Sequence, residues 1–499
     1  MKALRWLLVL PLVAALAAPA FAQDRTYPSG GGGRGGYGGG YRGGGLLPGL
    51  LFGVGAAAAA AAAAKARDRE RPRRVYRRPP PPDIADSHEA PPPRRHRLHP
   101  RKNVEAVAEA PPPRRIVRPP PRIPAPARAL LPAPTEKRLA PDEILVAFKT
   151  ERPGQAQDFA RAQKLDLVET RALKLIGVTV HRFRLPPGGD LRGALRRAGR
   201  DPRLAWAQPN YFYALQEPAA PTPAAAPEPE GYAGAALNLS EAHKLARGQG
   251  VAVAVIDSQV DAAHPELAGM VADQFDATGG GAQAHAHGTA MAGAISGHVK
   301  LAGAAPGARL LAVRAFDPGA QGARGATLNI AAGLDWAADK GARVVNMSFA
   351  GPPDPLMEKM VFAAGARGMA LIAAAGNEGP NAPPLYPGAY ASVIAVAAVD
   401  EQARIYDRDN RGGYIKLAAP GVDVLAAAPN GGYDLSTGTS IACAEVSGIA
   451  ALVLEKNPGL DLAGLRRILR DSARKLAGEG DLGAADAAAA LRTGKAPAQ

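Results

Sequence analysis

The chain has 499 residues, a single cysteine (Cys443) and a formal net charge of +15 at pH 7. It is too long for one ordinary domain, and one cysteine excludes an intramolecular disulfide framework. Between residues 65 and 135 there are 18 Lys or Arg against seven Asp or Glu, a net charge of +11. The basic character therefore belongs to a tail and does not indicate a specific nucleic-acid function.

Residues 1–22 are predicted to be a secretory signal peptide. They combine a basic start, an apolar stretch and small residues at Ala20 and Ala22. An uncleaved anchor is the alternative. We expect a secreted protein, in the periplasm or outside the cell.

Residues 23–64 form a Gly/Ala-rich low-complexity segment. Its second half, residues 46–64, has nineteen uncharged residues and is long enough to span a bilayer. Alanine and glycine contribute little transfer energy, however, and Pro48 interrupts the run. A tether is therefore favoured over membrane association.

Residues 65–137 are so rich in proline and arginine that a disordered, extended linker is predicted. Such a segment could contact anionic partners by charge alone, but a solvated spacer is the preferred interpretation.

A small α+β domain is predicted for residues 138–215. Strands are expected at 142–149 and 178–186, helices at 154–165 and 190–200, and the segment 203–215 closes the domain. Residues 216–231 return to a Pro/Ala-rich linker composition.

Residues 232–492 alternate short apolar runs with helical patterns. The expected strands are 250–257, 308–316, 342–349, 368–377 and 392–400, and helices are expected at 327–341 and 355–368. Runs without polar alternation are typical of strands buried on both faces, so we predict an α/β domain with a doubly wound, mostly parallel sheet and helices on both faces. Asp257 and Asn377 follow two of these strands and would project into one crevice.

Ser440 lies in "TGTSIACAEVSG" (437–448), at the start of an apolar helical pattern. A serine hydroxyl becomes a nucleophile when an imidazole takes its proton and a carboxylate orients that imidazole. His287 in "AHAHGTAMAG" and Asp257 in "VIDSQVDAAHPEL" supply these groups.

These motifs, in the order Asp, His, Ser, resemble those of the subtilisin-like serine proteases, the subtilase family. The resemblance covers roughly residues 232–492. It implies hydrolysis of extended polypeptides by a self-processing, monomeric endopeptidase, with Asp257 orienting His287, His287 acting as general base and Ser440 attacking the carbonyl. It also implies an oxyanion donor and substrate-binding residues, namely Asn377, Ser348, Phe349, Ala350, Gly351, Ala374, Ala375 and Gly376.

The chain departs from the family pattern at several positions. Gln259 and Ala350 stand where the family has glycine, Ala290 where it has a second histidine, and Ala444-Glu445 where it has Pro-His. An unpaired Glu445 charge would be costly if buried. The alternative function is therefore an attenuated or inactive surface protein whose basic tail binds anionic partners.

The sequence predicts no cofactor and no metal site. The segment after "HGTAMAG" lacks the oxygen-bearing side chains that calcium needs, so the family's loop calcium site is expected to be absent, while weak sites elsewhere stay open. His264, His285 and His298 have no partners at zinc-ligand spacing and are assigned solvent-facing or structural roles.

Residues 138–215 resemble the inhibitory propeptide of the same family, because a small domain ending in "AQPNY" directly precedes the protease-like part. An unrelated binding module is the alternative. Because a flexible, proline-rich junction beside an active site is exposed to attack within the same molecule, we predict that the chain cuts itself between Tyr211 and Ala235.

Overall fold

The computed structural model describes residues 129–215, 231–281, 283–319 and 322–493. They all belong to one compact unit that spans residues 114–499. The predicted signal peptide, the segment 46–64 and nearly all of both linkers lie outside the described ranges. Within these ranges, no helix combines the length and apolar character needed to cross a membrane.

The N-terminal α+β domain, residues 139–215, is an antiparallel sheet covered by two helices. Its strands have the order β2-β3-β1-β4. Successive side chains of the first strand point to opposite faces: Ile144 and Val146 contact the two helices, whereas Leu145 and Ala147 face the other way. The elements are β1 (Leu139–Phe148), α1 (Gln155–Gln163), β2 (Asp166–Leu173), β3 (Val178–Arg184), α2 (Leu191–Ala198) and β4 (Leu204–Leu215).

The α/β domain, residues 231–493, is built on a nine-stranded sheet of order β17-β18-β14-β13-β12-β10-β5-β7-β6. All neighbours are parallel except β17 and β18. Its strands, with the short strands outside the sheet, are β5 (Ala252–Asp257), β6 (Val271–Asp276), β7 (Arg309–Arg314), β8 (Phe316–Asp317), β9 (Arg324–Ala326), β10 (Val344–Met347), β11 (Phe349–Ala350), β12 (Ala370–Ala374), β13 (Ile394–Val399), β14 (Ile415–Pro420), β15 (Val424–Ala428), β16 (Gly432–Ser436), β17 (Arg474–Lys475) and β18 (Gly483–Ala484).

Helices cover both faces of this sheet, which confirms the predicted fold class. The helices are α3 (Tyr232–Ala236), α4 (Leu239–His243), α5 (Ala286–Ser296), α6 (Thr327–Asp339), α7 (Pro355–Ala366), α8 (Thr439–Lys456), α9 (Leu462–Asp471) and α10 (Ala487–Thr493). Helices α5 and α8 pack on one face, and α6 and α7 on the other. Helix α8 is small or apolar on nearly every side, which is typical of a fully buried helix.

The two domains share a sheet and a core. Strand β4 pairs with β1 inside its own domain and with β9 and β11 of the α/β domain. The outer face of the N-terminal sheet packs on α6 and α7. Its side chains also cap these helices: Gln208 Oε1 accepts from the Leu356 amide at 3.1 Å, and Asn210 Oδ1 accepts from the Leu328 amide at 3.4 Å.

Candidate active site

Three neighbouring strands end at the same edge of the large sheet. In the order β12-β10-β5, they finish just before Asn377, just before Ser348 and at Asp257. Because parallel strands present their carboxyl ends at one edge, these residues line a common crevice. The sequence predicted this placement for Asp257 and Asn377.

Asp257 and His287 form a direct pair. His287 Nδ1 lies 2.8 Å from Asp257 Oδ1 and 3.0 Å from Oδ2. Asp257 is fully buried and His287 is 6 % exposed. Since a carboxylate only accepts hydrogen bonds, it fixes the imidazole with its proton on Nδ1 and leaves Nε2 as a base.

Ser440 lies in the first turn of α8 and is 2 % exposed. Its hydroxyl donates to the main-chain oxygen of Ser348 at 3.1 Å, while His287 Nε2 is buried without a hydrogen-bond partner in the part of the chain that the structure describes. The expected serine-to-histidine hydrogen bond is therefore not formed in this arrangement. Such contacts are often long without a substrate and tighten when one is bound.

The start of α8 is fixed to strand β10 by a buried polar network. The Ser348 hydroxyl donates to the main-chain oxygen of Ser440 at 2.9 Å and accepts from Asn346 Nδ2 at 2.9 Å. Asn346 Oδ1 in turn accepts from the Cys443 thiol at 3.2 Å and the Ser447 hydroxyl at 3.0 Å. These bonds hold the Ser440 backbone, so the position of its hydroxyl is set by the fold.

The Asn377 amide has a defined orientation. Its Oδ1 accepts from the Thr439 amide and the Thr439 hydroxyl, both at 3.0 Å, and the same hydroxyl accepts from the Gly376 amide at 3.1 Å. With its oxygen held in this way, Asn377 can offer only Nδ2 to the crevice, as a hydrogen-bond donor. The sequence analysis did not identify Thr439 as the residue that sets this orientation.

Gly376 is required by backbone shape and by packing. Its φ is +115°, and a Cβ atom there would lie 2.5 Å from Leu385 Cδ1 and 2.9 Å from Asn410 Oδ1. Gly379 has a similar φ of +101°, but no atom lies within 4 Å of the position that a Cβ would take there. Substitutions at the two glycines can therefore be compared: both would strain the backbone, but only the one at Gly376 would also create a steric clash.

We expect Gly376→Ala to lower the free energy of unfolding by about 3 kcal/mol and Gly379→Ala by about 1 kcal/mol. Gly376→Ala should also lower kcat/KM at least tenfold, because the displaced backbone carries Asn377. Urea unfolding and peptide hydrolysis measure the two effects. Equal losses in both variants would contradict the proposed clash.

The predicted substrate strand Ser348–Gly351 is paired with an extended segment of the chain itself. Phe349 lies opposite Leu215 and Ala350 opposite Ala214, in antiparallel register. Strand β9 pairs with the other edge of the same segment, with Ala326 opposite Phe212 and Arg324 opposite Ala214. The sequence analysis missed β9, because a three-residue strand that pairs more than a hundred residues away leaves no periodic signal.

The remaining predicted wall residues, Ala374 and Ala375, are buried at the end of β12 and after it. Ala350 is 5 % exposed, and its neighbour Gly351 lies against the Tyr213 ring, where a Cβ atom would approach Cδ1 to 2.5 Å. An extended chain can therefore pass closely over this part of the crevice.

The departures from the family pattern have different consequences. Gln259 is accommodated, since its amide donates to the Val260 oxygen and to Gln274 Oε1. Ala290 is a buried residue of α5. Glu445 is 3 % exposed, its Oε2 has no hydrogen-bond partner among the described residues, and burial raises its pKa to about 8.

The loop after α5 is organised around a buried carboxylate. Glu266 accepts from four consecutive amides, those of residues 298–301, at 2.6–3.1 Å, and from the Tyr433 hydroxyl at 2.8 Å. Burial opposes its ionisation, but these bonds outweigh burial and hold the pKa of Glu266 below its usual value. The four amides are therefore satisfied within the protein, and the Glu266 carboxylate fixes the course of this loop.

A buried Asp–His pair and a serine at a helix N-terminus, both at the carboxyl edge of a parallel sheet, are features typical of serine hydrolases. A sequence profile described as "Subtilase family" matches residues 248–487. The thermophilic serine proteinase of Bacillus sp. (strain AK1) is 31% identical over 331 residues, 62% of this chain and 80% of that protein. Subtilisin BL of Lederbergia lenta is 37% identical over 238 residues, 46% of this chain and 85% of that protein.

Among solved structures, fervidolysin from Fervidobacterium pennivorans, a keratinolytic enzyme related to subtilisin, superposes with a TM-score of 0.62 at 25% identity. The match covers 73% of this chain and 62% of the fervidolysin chain. The chain therefore belongs to the subtilase family and is a subtilisin-like serine endopeptidase.

Proposed function

We propose that Asp257, His287 and Ser440 are the catalytic triad of this endopeptidase. His287 takes the proton of the Ser440 hydroxyl as the latter attacks the peptide carbonyl, and then returns it to the leaving amine. Asp257 holds the imidazole and stabilises its charged form. The observation that carries this proposal is the two-oxygen contact of the Asp257 carboxylate with His287 Nδ1 at 2.8 and 3.0 Å.

The negative oxygen that develops during attack would be stabilised by Asn377 Nδ2 and by the N-terminus of α8. A donor placed at this oxygen contributes roughly 3–4 kcal/mol to transition-state stabilisation, a magnitude taken from the equivalent asparagine of subtilisin. The Thr439 contacts support this role, because they hold the oxygen of the Asn377 amide and so define Nδ2 as its donor side.

The substrates would be extended polypeptides bound between β9 and β11. Main-chain pairing on both edges recognises the backbone of the substrate rather than its side chains, so many sequences can bind. Strand β4 occupies this position, which supports an inhibitory propeptide role for the N-terminal domain.

The register of β4 also indicates a processing site. Leu215 lies opposite Phe349. The residue before Phe349 is Ser348, whose main-chain oxygen accepts from the Ser440 hydroxyl. A bound chain that continued this register by one residue would place its next carbonyl beside Ser440. We therefore propose that the enzyme cuts its own chain between Gln216 and Glu217, within the interval predicted from sequence.

We also propose that residues 1–22 direct export of the protein. Inhibition by its own N-terminal domain would let the protease fold before it meets other proteins.

A fluorophosphonate probe tests the triad. Wild-type protein that has lost its N-terminal domain should be labelled on the peptide that contains Ser440, and His287→Asn should lower the labelling rate at least a hundredfold. Mass spectrometry locates the label. Absence of label in the processed wild-type protein would favour the alternative, an inactive surface protein.

A further inference from the structure

His285 lies two residues before His287, at the position that caps the N-terminus of α5. Its backbone is fixed on both sides. The amide donates to the Gln259 oxygen at 2.8 Å, and the carbonyl accepts from the Thr289 hydroxyl at 2.9 Å. The side chain is half-buried and therefore partly accessible to solvent.

The Ser258 hydroxyl connects His285 to the Asp257 carboxylate. Ser258 Oγ lies 3.1 Å from His285 Nδ1 and 3.1 Å from Asp257 Oδ1, and it also accepts from the Gly288 amide at 3.0 Å. Asp257 Oδ1 is the atom that contacts His287 at 2.8 Å. A single hydroxyl therefore stands between the second histidine and the Asp257–His287 pair.

The number of available protons links the state of His285 to the direction in which this hydroxyl donates. Ser258 has one hydroxyl proton. If it is donated to Asp257, the short contact with His285 is favourable only when His285 Nδ1 carries a proton. If His285 Nδ1 has a lone pair instead, it accepts either from Ser258, which then leaves Asp257, or from the His287 amide at 3.3 Å.

We propose that His285 is a positioning residue for the reaction, which switches the Ser258 hydroxyl on or off the Asp257 carboxylate as it gains or loses a proton. The inference rests on the proposed catalytic role of Asp257 and His287. The hydrogen bonds around His285 reach three titratable groups: His287 through its amide, Asp257 through the Ser258 hydroxyl, and Asp261, whose amide donates to the Thr289 hydroxyl.

The sign of the effect follows from charge. Protonated His285 keeps the Ser258 hydroxyl on Asp257 Oδ1, which weakens the stabilisation of a charged His287 by the carboxylate. The positive charge of His285 itself disfavours protonated His287 in the same direction. Removing His285 is therefore expected to move the loss of activity on the acid side to higher pH.

The test is the pH profile of kcat/KM on a peptide substrate, measured for the processed enzyme. In His285→Gln, the midpoint of the acid limb should rise by about half a pH unit, the size expected for a charge a few ångströms away near the surface. His298→Gln, at the exposed end of the same helix region, should superimpose on the wild type. In a Ser258→Ala background, His285→Gln should move the midpoint by less, because the part of the shift that passes through the hydroxyl is lost and only the direct effect of the His285 charge remains.

An acid limb that coincides with that of the wild type in folded His285→Gln would overturn the proposal. So would a uniform fall in kcat/KM at every pH, because that outcome indicates only a structural role. If the glutamine variant does not fold, His285→Asn retains a good helix cap and the same prediction applies.

A second readout does not depend on activity. The His287 ring proton can be followed by NMR in the uncut Ser440→Ala chain. The midpoint of its pH titration should move to higher pH when His285 is replaced by glutamine. An unchanged titration would overturn the proposal. This result stays interpretable even if the processed wild-type protein is not labelled by the fluorophosphonate probe, which would instead count against the proposed function.

Discussion

The Ser440→Ala chain is expected to persist uncut after signal removal, whereas the wild-type chain yields a new N-terminus at Glu217. The reason is proximity: β4 is already paired with β11 beside Ser440, and well-oriented groups in one molecule reach effective concentrations of about 10⁵–10⁸ M. For peptide hydrolysis, kcat of the Ser440→Ala variant should be about 10⁶-fold lower than that of the wild type, as it is when the nucleophile of subtilisin is removed. N-terminal sequencing and intact mass measure the first effect, and peptide hydrolysis the second.

The control is addition of processed wild-type enzyme to the purified Ser440→Ala chain, which reports whether the bond can also be cut between molecules. A new N-terminus within residues 212–235 in the inactive variant, purified from a host without other secreted proteases, would exclude self-processing. Cleavage of the wild type elsewhere in that interval would agree with self-processing but contradict the cleavage site between Gln216 and Glu217 that the register of β4 predicts.

Glu445→Gln is expected to stabilise the protein at alkaline pH and to leave it nearly unchanged in acid. Burial raises the pKa of Glu445 from 4.5 to about 8, so the folded state binds an extra proton between these values. Stability due to this group is therefore lost as pH rises through that window, by roughly 5 kcal/mol in total. The neutral glutamine removes this loss.

Thermal unfolding at pH 5 and pH 9, in the Ser440→Ala background to prevent autolysis, measures the effect. The drop in Tm between the two pH values should shrink in Glu445→Gln, and exposed Glu401→Gln should leave it unchanged. A remaining drop is expected from Asp409, since burial also raises its pKa to about 8. An identical drop in Glu445→Gln and the wild type would show that Glu445 carries no such cost.

The sequence predicted the large sheet well because its strands are apolar throughout and buried on both faces. The crevice followed from the same pattern, since Asp257 and Asn377 come directly at or after strand ends. Strand β9 could not be predicted, because its pairing with β4 is a property of the docked domains and not of its own three residues.

The supporting contacts of the site were harder to predict than its central residues. Ser258 and His285 are 27 positions apart in the sequence, and their contact depends on how the loop after β5 packs on α5. The role of Glu266 depends on four amides of a distant loop that point the same way. The sequence drew attention to Glu445, but only the packing around α8 shows that its Oε2 has no partner among the described residues.

Cys443 lies one turn beyond Ser440, fully buried, with its thiol donating to Asn346. Burial raises the pKa of this thiol to about 12, so almost none of it is thiolate at neutral pH. Oxidation and disulfide exchange both begin with an accessible thiolate. The folded protein can therefore work in an oxidising compartment without being cross-linked or inactivated through its one cysteine, and oxidation of this residue would report unfolding rather than exposure to oxidant.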